Sequence, residues 1–292
     1  MARPDCPQCG GTGWKTVQAR AAPVNEATAR AVQQIAVRCE CVEADREVRL
    51  LARARIPRRY EHCDFDNFDT DIYEGDPIAG AWNRSLEQAK LIVESFARDY
   101  PAGTDAGLLL MGPCGVGKTH LGVAALKQLV LRGHDGLFYD YRELLKEIQD
   151  SYNAVSQTTE LGVLEPVLSA ELLLLDDLGA SKPSLWALET LGHILNTRYN
   201  EKRTTLLATN YLDPLDVAPG AEPAARKKSR APLFGPLANL ATPDVARTYA
   251  DDTLGERIGQ RIRSRLYEMC RTVEILAPDY RKEVRQVGRV RP

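Results

Sequence analysis

The chain has 292 residues, 44% hydrophobic and 27% charged, with a formal net charge of −2, which suits one large globular domain plus a small one. The near-zero charge excludes a global basic field, so any nucleic-acid site must be a local patch. No apolar run approaches the roughly 18 residues of a membrane span, and cysteines and charges stand where a signal peptide would be apolar, so the expectation is a cytoplasmic protein with no membrane partner and reduced cysteines.

The first element is Cys6-Pro7-Gln8-Cys9, followed by Gly10, Gly11 and Gly13. Small residues after a C-x-x-C let backbone amides face the thiolates. Cys39-Glu40-Cys41 supplies a second close pair. Four thiolates in two pairs suit tetrahedral Zn²⁺ in a closed shell, which leaves no open position for catalysis and assigns the module to holding a partner. The second pair is C-x-C rather than C-x-x-C, and the other reading is two unrelated pairs of surface thiols. Residues 25–37, between the pairs, read as helical. Residues 43–55 read as a connecting helix ended by Ile56-Pro57, because the residue before proline avoids helical backbone. The aromatics of 58–68 read as packing on the next domain. His62 and Cys63 are adjacent, and the simpler reading there is a turn residue beside a buried thiol.

Residues 79–98 carry Trp82, Leu86, Ala89, Ile92, Val93 and Phe96 at helical spacing. Next comes the apolar run 107–111, then Gly112-Pro113-Cys114-Gly115-Val116-Gly117-Lys118-Thr119, and an amphipathic stretch to 132. Strand, G-x-x-x-x-G-K-T and helix form the phosphate-binding loop. Backbone N–H groups and the helix dipole would face a polyphosphate. Lys118 would reach the β- and γ-phosphates, and the Thr119 hydroxyl would meet Mg²⁺.

A strand is expected over 136–140, a helix over 141–152 with Leu144, Leu145 and Ile148 inward, and a loop over 151–162. Leu172 to Leu175 followed by Asp176 and Asp177 reads as a buried parallel strand with carboxylates at its C-terminal edge. Asp176 would hold the Mg²⁺ shell and Asp177 would polarise the attacking water. A helix over 185–203, with Leu188, Leu191, Ile194, Leu195 and Tyr199 on one face, and a strand over 204–210 follow. Asn210 at that strand's tip could sense the γ-phosphate, or form a turn. The fold class implied is α/β: a parallel sheet between helices, with an additional strand between the phosphate-loop strand and the Asp-Asp strand.

Residues 213–238 are rich in proline and alanine, with a basic cluster at 226–230, and read as a mobile insertion. The cluster fits either phosphate-backbone contact or solvation. Residues 254–269 read as one helix. Its Arg257, Arg261 and Arg265 form a row that is either solvated or supplies an arginine finger to a neighbour. A last strand is expected over 272–276. Arg281 could return to the nucleotide of its own subunit.

Several stretches together resemble the DnaC/DnaI helicase-loader family, kin of the IstB-type transposition ATPases within AAA+. They are G-P-C-G-V-G-K-T-H (112–120), L-L-L-L-D-D-L-G (172–179), R-Y-N-E-K-R (198–203), A-T-N-Y (208–211), G-E-R-I-G-Q-R-I-R-S-R-L (255–266) and D-Y-R (279–281). I-P-R-R-Y (56–60) and D-F-D-N-F (64–68) resemble the segment before the family's ATPase domain. The resemblance implies an AAA+ ATPase using ATP and Mg²⁺. It also implies slow hydrolysis stimulated by single-stranded DNA, self-association through the ATPase domain, and delivery of a hexameric replicative helicase to single-stranded DNA. Carried onto this sequence, it makes Lys118 and Thr119 Walker A, Asp176 and Asp177 Walker B, and Asn210 sensor 1. Arg265, then Arg261, is the arginine finger, and Arg281 resembles sensor 2. His120 completes the loop motif.

The organisation expected is a zinc module (1–45), a linker (46–77), an ATPase domain (78–285) and a basic tail (286–292). Tyr139, Tyr141, Lys146 and Tyr152 are candidates for stacking and charge contacts to a single strand. Two other functions fit: a transposition helper that binds duplex DNA, and a nucleotide-switched adaptor with little hydrolysis.

Overall fold

The computed structural model describes residues 4–20, 32–74, 78–102, 107–153, 159–181, 183–213 and 253–283. The chain divides into two compact units, Met1–Arg53 and Ala54–Pro292.

In the first unit β1 (Trp14–Arg20) and β2 (Val32–Arg38) form an antiparallel hairpin, paired from Trp14↔Arg38 to Arg20↔Val32. The helix expected over 25–37 is therefore not formed at 32–37. Valine and isoleucine at 32, 35 and 37 suit a pleated surface, and a complete ladder to β1 outweighs a weak helical spacing. Residues 21–31 lie outside the described residues. The next helix, α1 (Glu40–Arg53), starts three residues earlier than expected and takes Cys41 into its first turn.

The second unit is built on five parallel strands: β3 (Gly107–Met111), β4 (Gly136–Asp140), β5 (Leu172–Asp176), β6 (Thr204–Thr209) and β7 (Arg271–Glu274). Their order is β4-β5-β6-β3-β7. The strand expected in sequence between the phosphate-loop and Asp-Asp strands is β4, at the sheet edge beside β5, and β6 lies between β5 and β3. Every residue of β3, β5 and β6 is buried, which explains their continuous apolar runs. Five helices pack around them: α2 (Ala79–Asp99), α3 (Lys118–Leu131), α4 (Tyr141–Ser151), α5 (Glu160–Ser169) and α6 (Leu185–Asn200).

Two expectations are corrected here. A helix starts at Glu160, inside the expected loop. Thr159 caps it and Val163, Leu164 and Val167 are buried. Gly162 and Pro166 hide this short apolar stripe by looking like breakers. The single helix expected over 254–269 is two: α7 (Leu254–Ile258) and α8 (Gln260–Met269). Gly259, at φ 83 and ψ 148, breaks it, so Arg257 is not in one row with Arg261 and Arg265. At the start of α7 the Leu254 amide bonds the Leu212 carbonyl at 3.2 Å. Except for Asp213, the expected 213–238 insertion lies outside the described residues, as does the 286–292 tail. The last helix, α9, is Tyr280–Glu283. Among the described residues no helix is long and apolar enough to cross a membrane.

Of the stacking candidates, Tyr139 and Tyr141 are core residues, each 3% exposed, and offer no ring face to a strand. Tyr152 is exposed, as is Lys146.

Candidate functional site

Parallel strands deliver the residues that follow them to one edge of the sheet, and ligands gather there where the strand order reverses. Here the turns after β3, β5 and β6 carry, respectively, residues 112–117, Asp177 and Asn210.

The loop after β3 has positive φ at Gly112 (157°), Gly115 (81°) and Gly117 (94°). At Gly117 a Cβ would overlap the Phe68 ring and at Gly115 the Asp279 carboxylate, and both have left-handed φ that favours glycine. Helices α4, α5 and α6 each begin on a side-chain cap from Asp140, Thr159 or Ser184. Helix α3 begins at Gly117 with no side-chain cap. Its first amides are left for an anionic ligand.

Lys118 is buried inside this loop, and its Nζ donates to the carbonyls of Gly112 (2.9 Å) and Pro113 (2.6 Å). Burial lowers its pKa to about 8, and the nearby Arg281 charge pushes the same way. Thr119 donates its hydroxyl to the Asp176 carboxylate, with Oγ1 2.9 Å from each oxygen. Asp176 is 3% exposed. Burial raises its pKa to about 6, helped by the Asp177 charge, while the Thr119 bond lowers it. A desolvated carboxylate and a hydroxyl side by side form an oxygen donor set suited to Mg²⁺.

Asp177 has left-handed backbone, φ 54, a conformation that aspartate tolerates better than most residues. Asn210 Nδ2 donates to Asp177 Oδ1 at 2.9 Å, and Arg142 lies 3.9 Å from Oδ2. Thr209 and the Leu178 amide tie the two loop ends together through Leu178 and Ala208. The structure thus brings together Lys118, Thr119, Asp176, Asp177 and Asn210.

The remaining candidates fall around them. Cys114 is exposed at the loop tip and Val116 is buried beneath it. His120 turns to the segment before the domain, with Nε2 2.9 Å from the Asp64 carbonyl oxygen and its ring edge-on to Phe68 at 5.3 Å. Burial lowers its pKa. Arg281 is exposed beside the loop. Arg261 is exposed on α8, and Arg265 stacks over Tyr199, 4.4 Å from the ring centroid. Neither joins the Lys118–Asn210 group of the same chain.

Sequence reasoning missed how residues 57–68 wrap the loop and α3. Lys127 Nζ donates to the Glu61 carbonyl (2.7 Å), the Cys63 carbonyl (3.0 Å) and Asp64 Oδ1 (2.8 Å). Phe68 packs on Gly117. Asp279 lies against Gly115, where the Tyr280 amide meets the Gly115 carbonyl at 3.3 Å. The two motifs at 56–60 and 64–68 were the signal. Their aromatics are expected to pack on the next domain, and Phe68 does so against Gly117 and His120, but the sequence names no partner residue for them.

In the first unit Cys6, Cys9, Cys39 and Cys41 converge, with all four Sγ atoms within 4.8 Å of one another. Cys6 to Cys39 and Cys9 to Cys41 are each 3.6 Å between sulfurs. A tetrahedron with bonds of about 2.3 Å has edges of about 3.8 Å, so the cluster fits a zinc-sized ion. Backbone N–H groups of Gln8 and Cys9 bring the Cys6 thiol down to about 6, which favours the ligating thiolate.

A family model described as IstB-like ATP binding protein matches residues 24–214, about two thirds of the chain. The chain belongs to this family. The IstB-like chain is 27% identical over 182 residues to a protein of Escherichia coli K12 named replicative helicase loader DnaC, covering 61% of this chain and 69% of that one. It is 26% identical over 162 residues to the protein of that name in Buchnera aphidicola subsp. Acyrthosiphon pisum, covering 56% of this chain. It spans about three fifths (61%) of that relative's length. Among solved structures, a DNA replication initiation factor superposes with a TM-score of 0.50 at 17% identity, covering 78% of this chain and 54% of that one. The DnaC helicase loader gives 0.49 at 27% identity, covering 75% and 99%. The fold is a five-stranded parallel sheet between helices, shared with that initiation factor, with an ATP-binding family's loop after β3.

Proposed function

We propose that this chain is an ATP-dependent loader that binds a hexameric replicative helicase and helps deliver it to single-stranded DNA. The observation that carries the reading is a built nucleotide site lying within a chain that is 27% identical to a named helicase loader over 182 residues. In this reading residues 112–119 and the first amides of α3 cradle the phosphates of ATP. Lys118 leaves the Gly112 and Pro113 carbonyls for the β- and γ-phosphates. Thr119 and Asp176 hold Mg²⁺, which when bound neutralises charge on the β- and γ-phosphate oxygens. Asp177 orients and polarises the attacking water, and Asn210 holds Asp177 and reads the γ-phosphate. Arg281 approaches from the same chain, and Arg265 or Arg261 serves a neighbouring copy. The four cysteines hold Zn²⁺ and make the N-terminal unit a grip for the helicase.

The test is size-exclusion chromatography with light scattering of the zinc-loaded chain and its organism's replicative helicase, with and without ATP. A co-eluting complex is expected, weakened by Cys6→Ser/Cys9→Ser. Lys118→Ala should lower ATP turnover at least a hundredfold while leaving the fold intact, on the order of the loss when a main electrostatic contact to the transition state is removed. No complex under any nucleotide condition would overturn the loader reading. The IstB-like family match favours a transposition helper as the second reading, and preference for duplex over single-stranded DNA would select it. Full helicase delivery by Asp177→Asn would favour the low-hydrolysis adaptor.

A further inference from the structure

The near-zero net charge leaves nucleic acid only a local basic patch, and the first unit holds one. Strands β1 and β2 carry Lys15, Arg20 and Arg38 and no acidic residue. Alternation along the strands sorts their side chains. Lys15, Val17 and Val37 are half-buried on one face, and Glu40 holds the Lys15 Nζ at 2.5 Å. Trp14, Thr16, Gln18, Gln34, Ala36 and Arg38 share the other face, and all are exposed. Trp14 is 55% exposed. Directly across the ladder stands Arg38, its guanidinium carbon 6.0 Å from the ring centroid. Both lie at the end of the hairpin that is tied to the cysteine cluster. The Cys39 amide donates to the Gly13 carbonyl at 2.9 Å. Thr12 Oγ1 accepts from the Trp14 amide at 3.3 Å and donates to the Cys9 carbonyl at 2.7 Å. Two other exposed aromatics are placed differently. Tyr152 and Tyr267 donate their hydroxyls to Glu160 (2.8 Å) and Asp213 (2.7 Å), carboxylates that repel a phosphate.

We propose that this face of the hairpin is a contact surface for single-stranded nucleic acid, with a base stacked on Trp14 and Arg38 meeting the adjoining phosphate. An exposed indole is a platform that every base fits, and a guanidinium beside it supplies the charge that holds the backbone. Thr16, Gln18 and Gln34 extend the face with neutral donors and acceptors over about 13 Å, four steps of strand rise. None of the six side chains is acidic, so nothing among them opposes the phosphates. Ala36 alone is aliphatic, so an apolar protein segment finds little to bury there. The cysteine cluster adjoins both Trp14 and Arg38 through Gly13 and Cys39, and so pre-orders the platform. The loader reading gives the first unit to the helicase and the nucleotide to the second unit. This surface depends on neither assignment.

The test uses the full zinc-loaded chain without nucleotide. The probe is a labelled oligothymidylate of about 20 nucleotides, longer than a single site of this kind, followed by fluorescence anisotropy at several salt concentrations. Trp14→Ala should weaken binding about tenfold, the loss of one stacked base, and Trp14→Phe should stay within about threefold because a ring remains. Arg38→Gln should lower the slope of log affinity against log salt by about 0.7, one phosphate contact on a single strand. A strand carrying iododeoxyuridine should photocrosslink to Trp14. Bound zinc, measured for every variant, reports whether the unit is intact. Unchanged affinity in Trp14→Ala, or crosslinks confined to residues 54–292, would overturn the proposal. If Trp14→Ala loses its zinc, Arg38→Gln decides, and an unchanged salt slope overturns it. Unchanged strand binding by Trp14→Ala together with a lost helicase complex would make the face a protein contact and sink the proposal, while the loader reading survives. If no helicase complex forms and the strand results hold, the loader reading falls and this surface stands.

Discussion

The two units of this chain are held together by opposite means. Residues 54–283 close around leucine strands whose side chains are almost wholly buried, from Leu108–Leu110 through Leu172–Leu175 to Leu206–Leu207. Among the described residues the first unit has a two-stranded hairpin and one helix, and its hydrophobic cluster is the four cysteines with Val42 against them. Trp14 is 55% exposed and Ile35 39% exposed. A two-stranded hairpin is marginal in water without further support. An apolar core holds one unit, and a metal can hold the other. In the second unit the buried charged groups Lys118, Asp176 and Arg198 sit at the candidate site or bind the sheet to its helices.

The largest expected effect breaks the first unit alone. A strong chelator, or Cys6→Ser with Cys9→Ser, should unfold residues 4–53, since structural zinc sites contribute on the order of 10 kcal/mol of folding free energy. Released zinc should be stoichiometric with the chain. Limited proteolysis should cut within the hairpin while the melting temperature of residues 54–292 holds. Retained protection of the hairpin after zinc removal would contradict this account.

The next effect breaks the second unit from within. Arg198 on α6 is fully buried. Its guanidinium donates to the Val167 and Ala170 carbonyls (both 2.8 Å), the Thr204 carbonyl (2.5 Å) and the Thr205 hydroxyl (3.0 Å). It joins α5, α6 and the start of β6 at the edge opposite the nucleotide. Burial lowers its pKa to about 10. Arg198→Ala leaves several buried acceptors unpaired and should cost about 3–5 kcal/mol. Urea unfolding should show a lower midpoint. A midpoint shift worth less than about 1 kcal/mol, the size of one ordinary hydrogen bond, would show that water replaces the guanidinium.

Arg198 also shows where sequence reading runs out. It opens the R-Y-N-E-K-R stretch, yet helical spacing selected its neighbours Leu191, Ile194, Leu195 and Tyr199 and passed over a charge. The site itself was largely legible. Glycine spacing and the leucine-aspartate run report backbone shape and burial directly, and Lys118, Thr119, Asp176, Asp177 and Asn210 come together as those patterns imply. Contacts made by remote segments were not legible. Nothing in 56–68 says that Phe68 fills the space over Gly117, because such partners are chosen by tertiary packing. The helical reading of 25–37 failed for the same reason at 32–37, where a cross-strand partner decided the outcome. Gly259 was visible in the sequence, but a glycine between two apolar stripes can continue a helix or break it.

The smallest effect sharpens the comparison by separating stability from function at one residue. Asp176 titrates at about 6 in the fold against an ordinary value of 3.8. A carboxyl raised in this way favours the fold while it is protonated. That contribution is present below about pH 4 and is lost as pH rises through about 6. At pH 8 the free chain therefore holds a desolvated anion, and Asp176→Asn removes it. The shift sets a ceiling of about 3 kcal/mol at 1.36 kcal/mol per unit. The buried Lys118 cation loses a favourable neighbour in the variant, so a gain of about 1 kcal/mol is expected at pH 8. Below about pH 4, where the carboxyl is protonated in the folded and mostly in the unfolded chain, the wild type should match the variant. Thermal melts at the two pH values check the sign. With Mg²⁺ and ATP at a hundred times Kd the order should reverse, because the wild type gains about 2.7 kcal/mol by linkage and the variant gains little. An Asp176→Asn chain less stable than wild type at pH 8 without nucleotide would mean that the attraction between Lys118 and Asp176 exceeds the desolvation of the pair. The free site would then be a stabilising element of the fold, as the cysteine cluster is in the first unit.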